Sequence, residues 1–259
     1  MQRLALRLAP VLGAAVLVLS LAGTAFAEKY VALGDSYSAG NGANSTNLDW
    51  GCNRNTYAYP YLVSQQRPNT QLTFVACSGA VTGDVLNNQV NAVTADTKLV
   101  TITIGGNDVG FTSLIVACTT LGCQSQINSS NSQIVNELPA KLNATYAAIK
   151  SRAPGARVVV VGYPRPFAHR TCLAATGVSL GEEDQLNALT DNLDNVIRSR
   201  AQAYGFTYAD PNGYWAGHDV CASNPFINGL KVFAGSDSYH PTRNGYSAGY
   251  TPLVRSIVG

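Results

Sequence analysis

The chain has 259 residues, 46% of them hydrophobic and 12% charged, with 17 Lys and Arg against 15 Asp and Glu. Its first 27 residues hold two basic side chains, Arg3 and Arg7, and no acidic one, so the remainder carries 15 charges of each sign. With no excess of cation and no Lys/Arg run, a polyanion footprint and hence nucleic acid are excluded, and a neutral small molecule or lipid is the expected ligand.

In chain order, the basic start is followed by an apolar run from Leu8 to Ala22 and by Ala25-Phe26-Ala27, a small-x-small cleavage pattern. This predicts a secretory signal peptide over 1–27, cut near Ala27, because the apolar run is short of the ~20 residues a membrane span needs. The 232 residues that follow, 28–259, are expected to be exported as one soluble domain and a monomer, since no linker, repeat or charge block divides them. All six cysteines lie in that part, which in an oxidising compartment points to three disulfides among about fifteen possible pairings. No Cys-x-x-Cys pair and no His at ligand spacing supports a metal, and no cofactor is expected.

Continuous apolar runs recur at "YVAL" (30–33), "LTFVA" (72–76), "LVTITI" (99–104), "ARVVVVG" (156–162) and "FTYAD" (206–210), the pattern of strands buried on both faces. Helical spacing runs from Ser130 to Arg152 and from Glu182 to Tyr204, where Leu186, Leu189, Leu193, Val196 and Ile197 recur at threes and fours. This alternation predicts an α/β fold with a central parallel sheet of about five strands and helices on both faces.

Ligands of such sheets bind at the carboxyl ends of the strands, so polar residues just after a strand are the first to weigh. Three strands end in Gly34-Asp35-Ser36, Cys77-Ser78-Gly79 and Gly105-Gly106-Asn107-Asp108. Singly, each reads as a cap or turn. Together they offer what acyl transfer needs: a hydroxyl nucleophile, backbone N–H groups at tight turns, and a side-chain amide for an oxyanion. The base must be one of three histidines. His240 is preferred because Asp237 stands three residues earlier, where a turn can bring a carboxylate to Nδ1 and leave Nε2 for the serine. His218, adjacent to Asp219, and His169, in a Pro-flanked loop, are the alternatives. The literal Gly-x-Ser-x-Gly at Gly245–Gly249 fails as a nucleophile elbow, having no strand before it and no histidine after it, so Ser247 is expected in a terminal helix.

"GDSYS" with Ser36, "CSGA" with Gly79, "GGND" with Asn107 and "DSYHP" with Asp237 and His240 stand in the order of the four blocks of the GDSL, or SGNH, hydrolases. The chain resembles that family across nearly its whole mature length, and the wording of the blocks resembles its secreted actinomycete lipases and esterases. The resemblance implies a flavodoxin-like three-layer α/β/α sandwich and metal-free serine ester hydrolysis. It implies Ser36 as nucleophile, His240 as base with Asp237 behind it, and an oxyanion hole of Ser36, Gly79 and Asn107. In some relatives a backbone carbonyl, here that of Ser238 or its neighbour, replaces the carboxylate; Asp237 is the expectation. The implied disulfides are Cys52 with Cys77, Cys118 with Cys123 and Cys172 with Cys221.

Val109, Phe111, Tyr163 and Pro164, each just after a predicted strand, are expected to bind the acyl part of a substrate, with core packing as the competing role. A lipase or carboxylesterase acting on lipid esters is the leading reading. Phospholipase A and carbohydrate acetylesterase follow, and a secreted ligand-binding protein on the same fold is the non-enzymatic alternative.

Overall fold

The strands of the computed structural model are β1 (Glu28–Gly34), β2 (Asn47–Asp49), β3 (Arg54–Asn55), β4 (Thr70–Phe74), β5 (Leu99–Thr103), β6 (Arg157–Val161) and β7 (Thr207–Ala209). The structure describes residues 27–120, 122–231 and 237–259, so nearly all of the expected signal peptide lies outside the described residues. Five strands, the expected ones, pair in parallel in the order β4-β1-β5-β6-β7. Every residue of β5 is buried, as are Val158 to Val161 of β6, which is why these runs are apolar throughout. After β1 the chain adds β4 on one side and then crosses to add β5 on the other. Where strand order reverses in this way a crevice opens at the carboxyl ends of the two strands, here between the turns after Gly34 and Thr103.

The helices are α1 (Ser36–Ala39), α2 (Tyr59–Gln65), α3 (Thr82–Asn87), α4 (Phe111–Cys118), α5 (Gln124–Asn136), α6 (Leu138–Arg152), α7 (Leu180–Ala203), α8 (Asn212–Trp215) and α9 (Thr251–Val258). Helices α3, α5, α6 and α7 pack on one another as one layer, and α2 and α9 pack together with β4 and β7 as the other. The expected helix from Ser130 to Arg152 is two helices. Glu137, at φ −115° and ψ −46°, joins them, and Pro139, which has no N–H to give to a preceding turn, sits in the first turn of α6. Helix α7 begins before Glu182 because Ser179 and Glu182 form a capping box: the Ser179 hydroxyl accepts from the Glu182 N–H and the Glu182 carboxylate from the Ser179 N–H.

Strands β2 and β3 form a small antiparallel hairpin that no apolar alternation announces. Its far side is fastened by the Cys52–Cys77 disulfide; Cys118–Cys123 and Cys172–Cys221 close the other two bridges. Among the described residues no helix is long and apolar enough to cross a membrane.

Candidate active site

Gly34 ends β1 at φ +124°, and a Cβ there would lie 2.4 Å from the Thr103 carbonyl oxygen, so only glycine allows this close turn against β5. Asp35 then donates its N–H to Thr103 at 3.0 Å and caps α1, its Oδ1 accepting the Tyr37 N–H at 2.9 Å. The cap of α1 is therefore Asp35, which leaves the Ser36 hydroxyl free of that duty. The other Asp35 oxygen accepts the Tyr163 hydroxyl, and Tyr163 in turn accepts the Gly106 N–H at 3.0 Å. One phenol thus ties the turn before Ser36 to the turn before Asn107.

Ser36 Oγ lies 2.7 Å from His240 Nε2, and His240 Nδ1 lies 2.9 Å from the Ser238 carbonyl. Because a carbonyl can only accept, Nδ1 carries the proton and the Nε2 lone pair faces the serine. Both side chains are buried, and burial lowers the His240 pKa to about 4, with the Ser238 carbonyl working in the opposite direction. At neutral pH the imidazole is therefore an uncharged base.

The Asp237 expectation gives way here. Its carboxylate is turned to the Gly42 N–H at 3.2 Å, while the position behind the imidazole is taken by the main chain of Ser238. The turn decides this: the His240 N–H donates to the Asp237 carbonyl at 3.3 Å with Tyr239 at φ +55°, which swings the Ser238 carbonyl under the ring. Two residues that no local pattern reveals hold that turn. Tyr37 donates its hydroxyl to the Tyr239 carbonyl at 2.5 Å and packs on the imidazole at 5.1 Å, and the Asn228 amide reaches the His240 carbonyl at 2.9 Å.

The second strand end meets the first through a main-chain bond and the third through a side-chain amide. The Cys77 N–H donates to Gly34 at 3.0 Å, and the Asn107 side-chain amide donates to the Ala80 carbonyl at 3.0 Å, beside Gly79. An asparagine amide has two hydrogens, so the second remains for another acceptor. Among the described residues the N–H groups of Ser36 and Gly79 make no intramolecular hydrogen bond. Gly79 holds φ +81°, which turns its peptide in a way side-chain-bearing residues resist.

The rival histidines are engaged elsewhere: His218 Nδ1 meets the Asn224 carbonyl at 2.8 Å with its ring on Phe226, and His169 Nδ1 meets Asp184 at 2.9 Å. Ser247 lies exposed on a π-helical turn, Gly245–Tyr250, that runs into α9. Cys118, Cys123 and Glu182 come within ligand distance of one another, but both sulfurs are bound in a disulfide, which removes the thiolates a metal would need.

Val109, Phe111, Tyr163 and Pro164 are all buried, and the Tyr163 hydroxyl serves Asp35 and Gly106. The competing role, core packing, is the one the structure gives them. A cavity of ≈ 580 Å³ lies instead beside Gly79, walled by Val75, Ala80, Ala92, Gln89 and the Cys52–Cys77 bridge. Ala80 and Cys77 belong to the second strand-end block, whereas Val75, Gln89 and Ala92, from the end of β4 and the 3-10 turn after α3, carry no chemical motif.

Comparison with known proteins agrees with this architecture. Residues 32–248 match the model of the GDSL-like Lipase/Acylhydrolase family. The chain is 44% identical over 234 residues to a lipase of Streptomyces rimosus, covering 89% of this chain and 87% of that protein, and 41% identical to lipase 1 of Streptomyces coelicolor over 89% and 87%. Among solved structures, the extracellular lipase of Streptomyces rimosus superposes with a TM-score of 0.85 at 42% identity, covering 89% of this chain and 99% of that one. The phospholipase A1 of Streptomyces albidoflavus NA297 superposes with a TM-score of 0.84 at 40% identity, with the same coverage. A family match that takes in all four strand-end and histidine turns, together with relatives above 40% identity, makes the chain a member of the GDSL-like lipase/acylhydrolase family and a carboxylic ester hydrolase.

Proposed function

We propose that this chain hydrolyses acyl esters of lipids outside the cell through Ser36 and His240, by way of an acyl-enzyme. His240 Nε2 takes the Ser36 proton as Oγ adds to the ester carbonyl carbon. The oxyanion so formed accepts hydrogen bonds from the Ser36 N–H, the Gly79 N–H and the Asn107 amide, each donor being worth about 2.7–4 kcal/mol in such sites. Collapse of the tetrahedral species expels the alcohol, which leaves with the proton held on Nε2. Water then adds to the acyl-enzyme with His240 again as base, and the carboxylic acid and free Ser36 are released. The Ser238 carbonyl, which accepts from Nδ1, keeps the ring in the working tautomer and stabilises the imidazolium.

The observation that carries this reading is the buried 2.7 Å contact between Ser36 and His240 with Nδ1 already committed to a carbonyl. The cavity beside Gly79, within the size range of small-ligand sites, is the proposed acyl site. Phospholipase A activity is the second reading, favoured by the resemblance to the Streptomyces albidoflavus phospholipase A1 at 40% identity. Export rests on the leader pattern of residues 1–27 and on the three disulfides, which persist in oxidising compartments.

Ser36→Ala and His240→Ala should each lower kcat on a p-nitrophenyl ester by about 10³-fold or more, while Ser247→Ala stays within about twofold of the parent. A serine-directed organophosphorus reagent should label Ser36 alone. Full activity in Ser36→Ala sinks the proposal. A panel of triglyceride and phosphatidylcholine run on the parent protein separates the two readings.

A further inference from the structure

The hairpin β2–β3 reverses the usual alternation of a surface strand. Asn47 and Asp49 are half-buried, whereas Leu48 is 49% exposed and Trp50, at the turn, 83% exposed. Leu48 in β2 and Trp50 in the turn that follows it are thus two large apolar side chains exposed two residues apart. A hairpin facing only water gains nothing from presenting its largest apolar groups to solvent.

The tip is also prepared to leave water. Asp49 Oδ1 accepts the N–H groups of Gly51 at 2.7 Å and Cys52 at 3.2 Å, and its other oxygen pairs with Arg54. Two tip N–H groups and the one carboxylate are thus satisfied inside the hairpin, which lowers the penalty for bringing it into a less polar medium. The hairpin is rigidly joined to the site as well. Besides the Cys52–Cys77 bridge, Arg54 donates to the Ala76 carbonyl at 3.1 Å and the Ser78 N–H to the Cys52 carbonyl at 3.0 Å. Cys52, Cys77 and Ser78 border the cavity beside Gly79, so whatever holds the hairpin also holds the mouth of that cavity.

From these observations we infer that the β2–β3 hairpin is an interfacial anchor, with Trp50 and Leu48 entering the headgroup region of a lipid surface and presenting the cavity to it. Indole is suited to that depth, having an apolar body and one polar N–H. The internally neutralised tip fits an uncharged or zwitterionic surface rather than an anionic one. Trp50 also borders a smaller recess with Asn44, Asn53 and Asp237, the setting of a sugar platform. Leu48 argues against that occupant, because a second exposed apolar side chain two residues away contributes nothing to a hydroxyl-rich ligand. The purpose of the anchor rests on the hydrolase reading, but the binding event does not depend on turnover.

The test uses the mature chain and vesicles of dialkyl-ether phosphatidylcholine, which has no ester to cleave. The chain holds two tryptophans, and Trp215 is 5% exposed, so a change in emission on adding vesicles reports Trp50. A saturable blue shift is expected, lost in Trp50→Ala; vesicle flotation should fall about tenfold in that variant and about threefold in Leu48→Ser. Both variants should cleave soluble p-nitrophenyl acetate within about twofold of the parent, which also shows that they fold. Unchanged emission with vesicles overturns the anchor, as does Trp50→Ala floating like the parent. An emission shift with soluble oligosaccharide but not vesicles marks a sugar platform, and a shift that follows protein concentration alone marks self-association; either result also overturns it. Vesicle binding in an inactive protein would fault the hydrolase reading and leave the anchor standing.

Discussion

A serine hydroxyl attacks only when its proton has somewhere to go, and in the proposed reaction the acceptor at His240 is supported by a main-chain dipole instead of a charge. That difference can be measured. Where a carboxylate orients the imidazole, converting it to the amide costs about 10⁴ in kcat. Asp237 does not touch the ring, and in Asp237→Asn the side-chain oxygen that meets Gly42 is retained. Asp237→Asn should therefore keep kcat/KM on a soluble ester within about threefold of the parent; a loss of several hundredfold would return the carboxylate to the mechanism. Ser36, Gly79, Asn107 and His240 were legible because each follows directly on a strand or a proline-marked turn and belongs to a residue type with its own chemistry. The partner of Nδ1 was not, since an Asp-x-x-His spacing brings both a carboxylate and a main-chain carbonyl near the ring. The choice between them is made by Tyr239 at φ +55°, held through Tyr37 and Asn228 from distant parts of the chain.

Between elements, the strand ends are joined by a few groups that bridge one turn to the next, and Tyr163 is the clearest. Its hydroxyl gives one hydrogen bond to Asp35, next to Ser36, and takes one from Gly106, next to Asn107. Tyr163→Phe keeps the ring and its edge contact with Tyr37, but leaves a buried carboxylate and a buried N–H each short of a partner. Each unmet group costs about 1–3 kcal/mol, so the variant should unfold at lower temperature. It should also lose kcat by about tenfold with KM little changed, because the two turns it joins carry the proposed nucleophile and one proposed oxyanion donor rather than the proposed acyl cavity. A loss seen only in KM would instead place Tyr163 against substrate, as its position after β6 first implied. That position misled because residues following a strand can face either the crevice or the layer beneath it, and the hydroxyl found its partners beneath. The sheet itself was readable from its continuous apolar runs, whereas β2–β3 was not. That hairpin is held by Asp49, Arg54 and a disulfide, with no apolar periodicity to give it away.

Over the whole molecule, the same burial that keeps His240 neutral sets a pH dependence of stability through groups that titrate in opposite senses. Burial raises Asp35 to about 7 and Asp194 to about 8, and lowers His240 to about 4. A carboxyl whose folded pKa lies above its unfolded value near 4 contributes stability that is complete below about pH 4 and lost as pH rises through the folded value. For Asp35 that loss is finished near pH 7 and for Asp194 near pH 8. The histidine runs the other way: its contribution is present above about 6.5 and is lost as pH falls toward 4. Below about pH 6.5 the trends oppose each other, and above it only the carboxyls remain. The melting temperature should accordingly fall between pH 6.5 and pH 9, by ~2–4 °C for each kcal/mol in a chain of this size. Asp194→Asn isolates one contributor. The amide oxygen can still accept the Tyr163 N–H, bonded at 3.0 Å in the parent, but the group no longer ionises. Calorimetry at the two pH values should find the fall reduced by about half or more in the variant. Parallel slopes for parent and variant would mean that the Asp194 carboxyl is already ionised, and stably so, across that range.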